Sequence, residues 1–345
     1  DALITAFARH LVKRYGIDEV SKWYFEVWNE PNLDFWGGVP KEQTYFELYD
    51  HTARALKAVS SRIRVGGPAT AQAAWVGDMI EHATKNHVPL DFVSSHAYGN
   101  DTSENIFHDS RPVLPHQMVC AAVEKVHKEI LASSRPHIPL IWSEFNASYS
   151  NEQEIEDSIY MGPWLADTIR KCDGMAQMMS YWTFSDVFEE GGVVKTPFWG
   201  GFGIIAEDDI PKPAFNAFAM LHHLGDERIH EPEDNVLVTR RADGSLVIAA
   251  WNLVEPGATA PSKTVTLDLK NVPANAHVTI ERSDAQHGDT LAAWKQMGSP
   301  RYPTVAQIAE LKKASEPGVP EVQELKDGYL TLTIPPMGLV VMEVQ

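Results

Sequence analysis

Through its first 225 residues the chain alternates between stretches of helical apolar spacing and short buried-type runs, which restricts it to a parallel sheet covered by helices. Leu3, Phe7, Leu11 and Tyr15 recur every fourth residue ahead of Gly16, a C-cap residue, and 23–28 follows as a strand. The unit then repeats. A helix through Tyr45, Tyr49, Leu56 and Val59 precedes a strand at 63–68, and one through Met79, Ile80 and Ala83 precedes 91–96. A helix through Val119, Val123, Val126 and Ile130 precedes 140–144, and a helix at 155–172, a strand at 178–184 and a helix at 213–224 complete the series. Five such strands read as strands 4 to 8 of a (β/α)8 TIM barrel. The chain opens inside a helix without an initiating Met, so three more βα units are expected upstream, in the same gene product or on a separate fragment. An open doubly wound sheet is the alternative, although no Gly-rich fingerprint follows any strand.

From residue 226 the spacing changes to alternation at two, with runs at 236–239, 245–251, 264–269, 277–282, 329–334 and 339–344. Asp243-Gly244 is a hairpin turn signal between the first two. The tail reads as a C-terminal β-sandwich of about seven strands, interrupted by a polar excursion at 284–318 with a helical stretch around 305–314. The expected domains are thus 1–225, barrel, and 226–345, accessory sandwich. A net charge of −18 argues against nucleic acid and anionic lipid as partners. No apolar run approaches the roughly 18 residues of a membrane span. Cys120 and Cys172 have no chelating spacing, and whether they form a bridge is open.

Two of the strand runs stop at a glutamate: Tyr24-Phe-Glu-Val-Trp-Asn-Glu30 and Leu140-Ile-Trp-Ser-Glu144. A charged carboxylate at a buried strand end costs several kcal/mol unless paired. Pro31 cannot continue a central strand, so it ends the first run at Glu30. Taken singly, each glutamate also suits a loop turn or a salt-bridged rim. On parallel neighbours of one barrel, however, the two converge on one face, the arrangement that glycoside hydrolysis requires. Asn29 beside Glu30 can both donate to and accept from a sugar hydroxyl. Metalloprotease, phosphate-loop, nucleophile-elbow and EF-hand patterns are absent from the sequence. Asn100-Asp-Thr and Asn146-Ala-Ser match the glycosylation acceptor pattern, the second two residues past Glu144.

Asn-Glu-Pro at one strand end and Trp-Ser-Glu-Phe three strands later resemble clan A glycoside hydrolases. Trp-Asn-Glu-Pro-Asn-Leu-Asp-Phe-Trp at 28–36, Gly-Gly-Pro-Ala at 66–69, Ser-His-Ala-Tyr at 95–98 and Tyr-Trp-Thr-Phe-Ser-Asp-Val-Phe-Glu-Glu at 181–190 narrow the resemblance to family 39, the β-xylosidases. Phe-Trp-Gly-Gly-Phe-Gly at 198–203 and Ala-Trp-Lys-Gln-Met-Gly-Ser-Pro at 293–300 extend it over nearly the whole chain. The resemblance implies a retaining exo-acting enzyme on xylo-oligosaccharides or xylosides, with no cofactor and no metal. It implies Glu30 as general acid/base, its pKa raised by an anionic neighbour, and Glu144 as a nucleophile kept ionised by hydrogen bonds. Asn29 would bind the sugar 2-hydroxyl, His96 and Tyr98 the glycone, Trp182 a sugar face and Glu190 sugar hydroxyls. Phe198 and Phe202, with Trp199, would line the mouth or else pack beneath the loop. Two other readings stay open: an α-L-iduronidase-like glycosidase, which needs a cation for a sugar carboxylate, and a non-catalytic carbohydrate-binding protein. Oligomeric state and compartment are not legible.

Overall fold

The computed structural model describes residues 1–188, 192–194, 196–231, 233–270 and 276–344. They form two compact units: Asp1–Asn146 with Cys172–Tyr181, and Ala147–Lys171 with Trp182–Gln345.

The first unit is built on a five-stranded parallel sheet whose order follows the chain: β1 (Tyr24–Glu26), β2 (Arg64–Thr70), β3 (Phe92–Tyr98), β4 (Leu140–Asn146) and β5 (Met178–Tyr181). A doubly wound sheet reverses its order at a switch point. This one does not, so it winds in the sense of a barrel. Helix Lys41–Val59 buries Tyr45, Tyr49, Ala53 and Leu56 along one face, as helical spacing requires. The Tyr45 hydroxyl donates to the Val27 carbonyl at 3.0 Å and that of Tyr49 to Pro89 at 2.8 Å, so one helix ties down the ends of two loops. Gly67 makes room for this packing, and Gly66 for the approach of β3. A Cβ at Gly66 would lie 2.3 Å from the Phe92 carbonyl oxygen, and one at Gly67 would lie 2.3 Å from the Tyr45 hydroxyl. Cys120 and Cys172 are joined in a disulfide across 52 positions of chain.

Three of the departures from the expected bounds have a local reason each. The first strand is only Tyr24–Glu26, because Trp28 turns to a positive φ of 65°. The last parallel strand stops at Tyr181, because the Thr183 amide donates to Phe202 at 2.7 Å and its carbonyl accepts from Ile204 at 3.0 Å. The helix expected at 155–172 is two, Gln153–Glu156 and Met161–Cys172. Between them the Ser158 hydroxyl donates to the carbonyls of Glu154 and Ile155, competing with the helical ladder.

The second unit carries β6 (Ile205–Ala206), β7 (Ile210–Pro211), β8 (Glu227–Ile229), β9 (Val236–Arg240), β10 (Leu246–Trp251), β11 (Lys263–Asp268), β12 (His277–Ser283), β13 (Glu321–Glu324), β14 (Tyr329–Ile334) and β15 (Leu339–Val344). Six of them form an antiparallel sheet in the order β13-β12-β15-β10-β9-β8, while β11 pairs with β14. Leu330, Leu332 and Ile334 of β14 share one core with Ile248, Val278, Ile280 and Met342 of the larger sheet. Asp243-Gly244 turns between β9 and β10, and the polar excursion holds helix Val305–Ala314, started by a Thr304–Gln307 capping box. β8 and β13 are additions to the expected strands.

One lysine of this unit is wholly buried among carboxylates. The Lys212 ammonium lies 2.6 Å from Asp157 and 3.1 Å from Asp186, and donates to the Gly201 carbonyl at 2.7 Å. The same two carboxylates accept the amides of Gly200 and Gly203, pinning that glycine-rich loop at both ends. Glu156 is buried beside them, and burial drives its carboxyl well above the usual range, against the pull of Lys212.

The Gly66 packing predicts that Gly66→Ala costs about 1–3 kcal/mol of folding stability, since the clash is with backbone that cannot swing away. Urea unfolding of the variant beside the parent measures it, and an unchanged midpoint would contradict the packing described.

Candidate active site

The C-terminal ends of β1, β3 and β4 build one cluster. After β1 the Val27 amide still bonds Gly66 at 3.1 Å, and the Glu30 amide bonds Ala69 at 2.8 Å. Between them the backbone enters the left-handed region at Trp28 (φ 65°) and again at Glu30 (φ 44°), which is costly for side chains of this size. On β3, alternation at two puts His96 and Tyr98 on the same side.

β4 contains an extra residue. Trp142 faces Ser95 and Glu144 faces His96, so Ser143 has no partner on β3, the signature of a β-bulge. The bulge lets two consecutive side chains, Ser143 and Glu144, both reach residues of the cluster.

His96 is the centre. Its Nδ1 lies 2.9 Å from Glu30 Oε1 and 3.6 Å from Glu144 Oε2. Its Nε2 lies 3.2 Å from Ser143 Oγ, and Ser143 donates to Glu26 Oε1 at 2.6 Å. The Tyr98 hydroxyl donates to Glu144 Oε2 at 2.7 Å. Glu30, His96 and Glu144 each offer an atom within 4.8 Å of the others, and they are the group among the described residues whose donors could converge on a cation. At the ~4.8 Å spacing of sheet strands, β1 and β4 would stand ~14 Å apart in a flat sheet. The 2.6 Å contact from Ser143 to Glu26 therefore requires the sheet to curl strongly, as a barrel wall does.

The imidazole is 1% exposed, and the side chains of Glu30 and Glu144 are 14% and 13% exposed. Burial disfavours the His96 cation, but the hydrogen bond to Glu30 and the charges of Glu144, Glu30 and Glu26 outweigh it and raise its pKa. Burial also raises the Glu144 carboxyl, against the pull of His96 and Tyr98. The resemblance implied a nucleophile held ionised by hydrogen bonds; the one from Tyr98 is present, but desolvation works against it. Asp101 closes the cluster from behind: its carboxylate accepts the Tyr98 amide at 2.8 Å and the Gln72 amide at 3.3 Å. Burial pushes its pKa up to about 6.

Of the residues singled out from sequence, Glu30, His96, Tyr98 and Glu144 thus come together. Asn29 is exposed next to them in the chain. Trp182 and Phe202 belong to the second unit: Trp182 meets Phe188 edge to face at 5.3 Å, and Phe202 lines a cavity of about 240 Å³ with Tyr149, Asn151, Thr183, Phe188 and Trp199. Phe198 does not line a mouth. It is 0% exposed, packed 5.7 Å from Trp294, and has no surface to offer a sugar. Glu190 lies outside the described residues. Asn146 of the second acceptor pattern is fully buried, so the folded chain presents no side chain there for a glycan.

Glu26, Ser143 and Asp101 were not singled out. A signal existed for Glu26, a carboxylate inside a three-residue strand and four positions ahead of Glu30.

A curled parallel sheet whose strand ends carry two carboxylates around one imidazole and one phenol is the site of a glycoside hydrolase. Residues 1–331 match the model of the Glycosyl hydrolases family 39. The chain is 37% identical over 339 residues to a beta-xylosidase of Geobacillus stearothermophilus, spanning 96% of this chain and 67% of that protein. It is 39% identical over 324 residues to one from Caldicellulosiruptor saccharolyticus, spanning 91% of this chain and 65% of that protein. It therefore covers about two thirds of the length of these relatives. The crystal structure of a monomeric beta-xylosidase from Caulobacter crescentus superposes with a TM-score of 0.89 at 32% identity, covering 100% of this chain and 74% of that one. The chain belongs to glycosyl hydrolase family 39.

Because burial raises the Asp101 pKa to about 6, the folded protein keeps a proton there that the unfolded chain, with an ordinary aspartate pKa near 3.9, has released. Stability from this group is therefore greatest below about pH 4 and falls as pH rises through about 6. Asp101→Asn keeps an acceptor for the Tyr98 amide but cannot ionise. It should remove about 3 kcal/mol of that fall at full ionisation, read as the difference between urea-unfolding curves of parent and variant from pH 4 to 7. Parallel curves would refute the buried-acid account.

Proposed function

We propose that this chain carries the catalytic residues of a retaining exo-β-1,4-xylosidase that releases xylose from the non-reducing end of xylo-oligosaccharides. The observation that carries the reading is that Glu30 and Glu144 offer oxygens within 4.8 Å of each other across His96. Retaining enzymes hold their carboxyl groups about 5–5.5 Å apart, whereas inverting ones leave about 6.5–9.5 Å for a water. The family relatives named as beta-xylosidases support the choice of sugar.

In this reading Glu30 protonates the departing oxygen while Glu144 attacks the anomeric carbon, giving a glycosyl-enzyme. Glu30 then takes a proton from the water that hydrolyses it. Tyr98 orients Glu144, Asn29 binds the 2-hydroxyl, His96 joins the glycone contacts, and Trp182, Phe202 and Glu190 complete the sugar contacts. We assign residues 1–225 to the catalytic barrel, with three further strands closing it, and 226–345 to an accessory β-sandwich. The shared core of β14 and the six-stranded sheet supports that last assignment.

In the full-length protein, Glu144→Ala should abolish turnover of every xyloside. Glu30→Ala should spare substrates with activated phenolate leaving groups, which need no proton to depart, and azide should rescue it with a β-xylosyl azide as product. Proton NMR should show β-xylose as the first sugar released by the parent. Initial α-xylose, or near-normal turnover by Glu144→Ala, would end the double-displacement reading.

A further inference from the structure

The hydrogen-bond chain behind Glu30 continues past His96. Ser143 Oγ stands 3.2 Å from His96 Nε2 and 2.6 Å from Glu26 Oε1. A hydroxyl has one proton to donate, and an ionised carboxylate has none. The Ser143 proton therefore goes to Glu26, and only a lone pair is left toward the imidazole. Nε2 must then carry a hydrogen, because the bond made by one ring nitrogen decides which tautomer the ring adopts. When the ring is neutral, Nδ1 is bare, and it faces Glu30 Oε1 at 2.9 Å and Glu144 Oε2 at 3.6 Å. A bare nitrogen repels an ionised carboxylate. The contact from Nδ1 to Glu30 holds only while one proton lies between them, on the carboxyl or on the ring.

We propose that Glu26 and Ser143 are positioning residues: by holding His96 in the Nε2–H tautomer they keep one proton on the Glu30–His96 pair for delivery to the leaving-group oxygen. This rests on Glu30 being the acid/base. The proton passes from Glu30 to the departing oxygen, and the water that later attacks the glycosyl-enzyme returns one to the same carboxylate. The groups facing the imidazole are Glu26 and Glu30 on and after β1, Ser143 and Glu144 on β4, and Tyr98 on its own strand, with Asp101 behind. The charged groups acting on the ring are carboxylates, so the field of the cluster favours holding a proton there. Without the Glu26 charge, Ser143 is free to turn its proton toward Nε2. The neutral ring then becomes Nδ1–H, donates to an ionised Glu30 and needs no extra proton, so the acid is lost at lower pH.

The test is the pH profile of kcat/KM in the full-length protein, with an alkyl β-xyloside that needs acid assistance and with 2,4-dinitrophenyl β-xyloside, which does not. Glu26→Gln and Ser143→Ala should each move the alkaline limb for the alkyl substrate to lower pH by about one unit, and leave the dinitrophenyl profile in place. Ser143→Thr, which keeps the hydroxyl, should restore the limb. The two positions lie on different strands, so a folding defect in one variant leaves the other to decide. An unmoved limb, or an equal loss on both substrates at every pH, would mean a merely structural role and overturn the proposal. Glu30→Gln runs in parallel. If it loses activity equally on both substrates, the acid/base assignment has failed; if it shows the leaving-group dependence while the limb stays put in the other variants, only the positioning chain has.

Discussion

Two carboxyl groups with oxygens 4.8 Å or less apart, both mostly withdrawn from water, repel unless a proton or a cation stands between them. One imidazole does this for Glu30 and Glu144 together. It comes from β3, while the acids come from the ends of β1 and β4, so the cluster forms only when a curled sheet brings these strands round to face one another. The costs are local. Left-handed backbone at Trp28 and Glu30 persists because amides on both sides of it are bonded to β2, and because Tyr45 holds Val27 from behind. Gly67, where a Cβ would lie 2.3 Å from the Tyr45 hydroxyl, lets that support approach closely enough.

The strands, the winding and four of the cluster residues were legible in the amino-acid sequence. Helical spacing and abrupt strand ends are local signals, and Glu30, His96, Tyr98 and Glu144 sit at such ends. The remainder depends on what a residue meets. Ser143 reads as one polar position in an apolar run, and nothing in Leu-Ile-Trp-Ser-Glu announces that the strand slips there. Glu26 reads as part of a strand, since its partner lies three strands away. The break after Glu156 and the end of β5 at Tyr181 follow from hydrogen bonds to distant or competing groups, which periodicity does not register. Phe198 shows the limit of aromatic patterns: Phe-Trp-Gly-Gly-Phe reads the same for a packed ring as for an exposed one.

The second unit handles buried charge differently. Around Lys212 the three carboxyl groups outnumber the ammonium, and burial raises the Glu156 carboxyl well above its usual range. Replacing Lys212 by a neutral residue would leave the Asp157 and Asp186 carboxylates buried without their cation, a change that typically costs about 3–5 kcal/mol. The glycines of this loop are hemmed in by the same groups: a Cβ at Gly201 would lie 2.3 Å from an Asp186 oxygen. Loop and ion pairs therefore constrain each other.

The extra residue in β4 has a consequence for how this site tolerates change. In a regular strand, the face a side chain takes is a matter of parity, odd positions one way and even positions the other. At Ser143 the count is advanced by one, so residues before and after it follow opposite parities. Removing residue 143 would therefore leave a regular strand in which Glu144 still faces His96, so the deletion would cost the cluster its Ser143 hydroxyl but not the side that the carboxylate takes. The slip thus brings two consecutive polar side chains, Ser143 and Glu144, onto the cluster, and any recombination of strands between relatives has to carry it across to keep both.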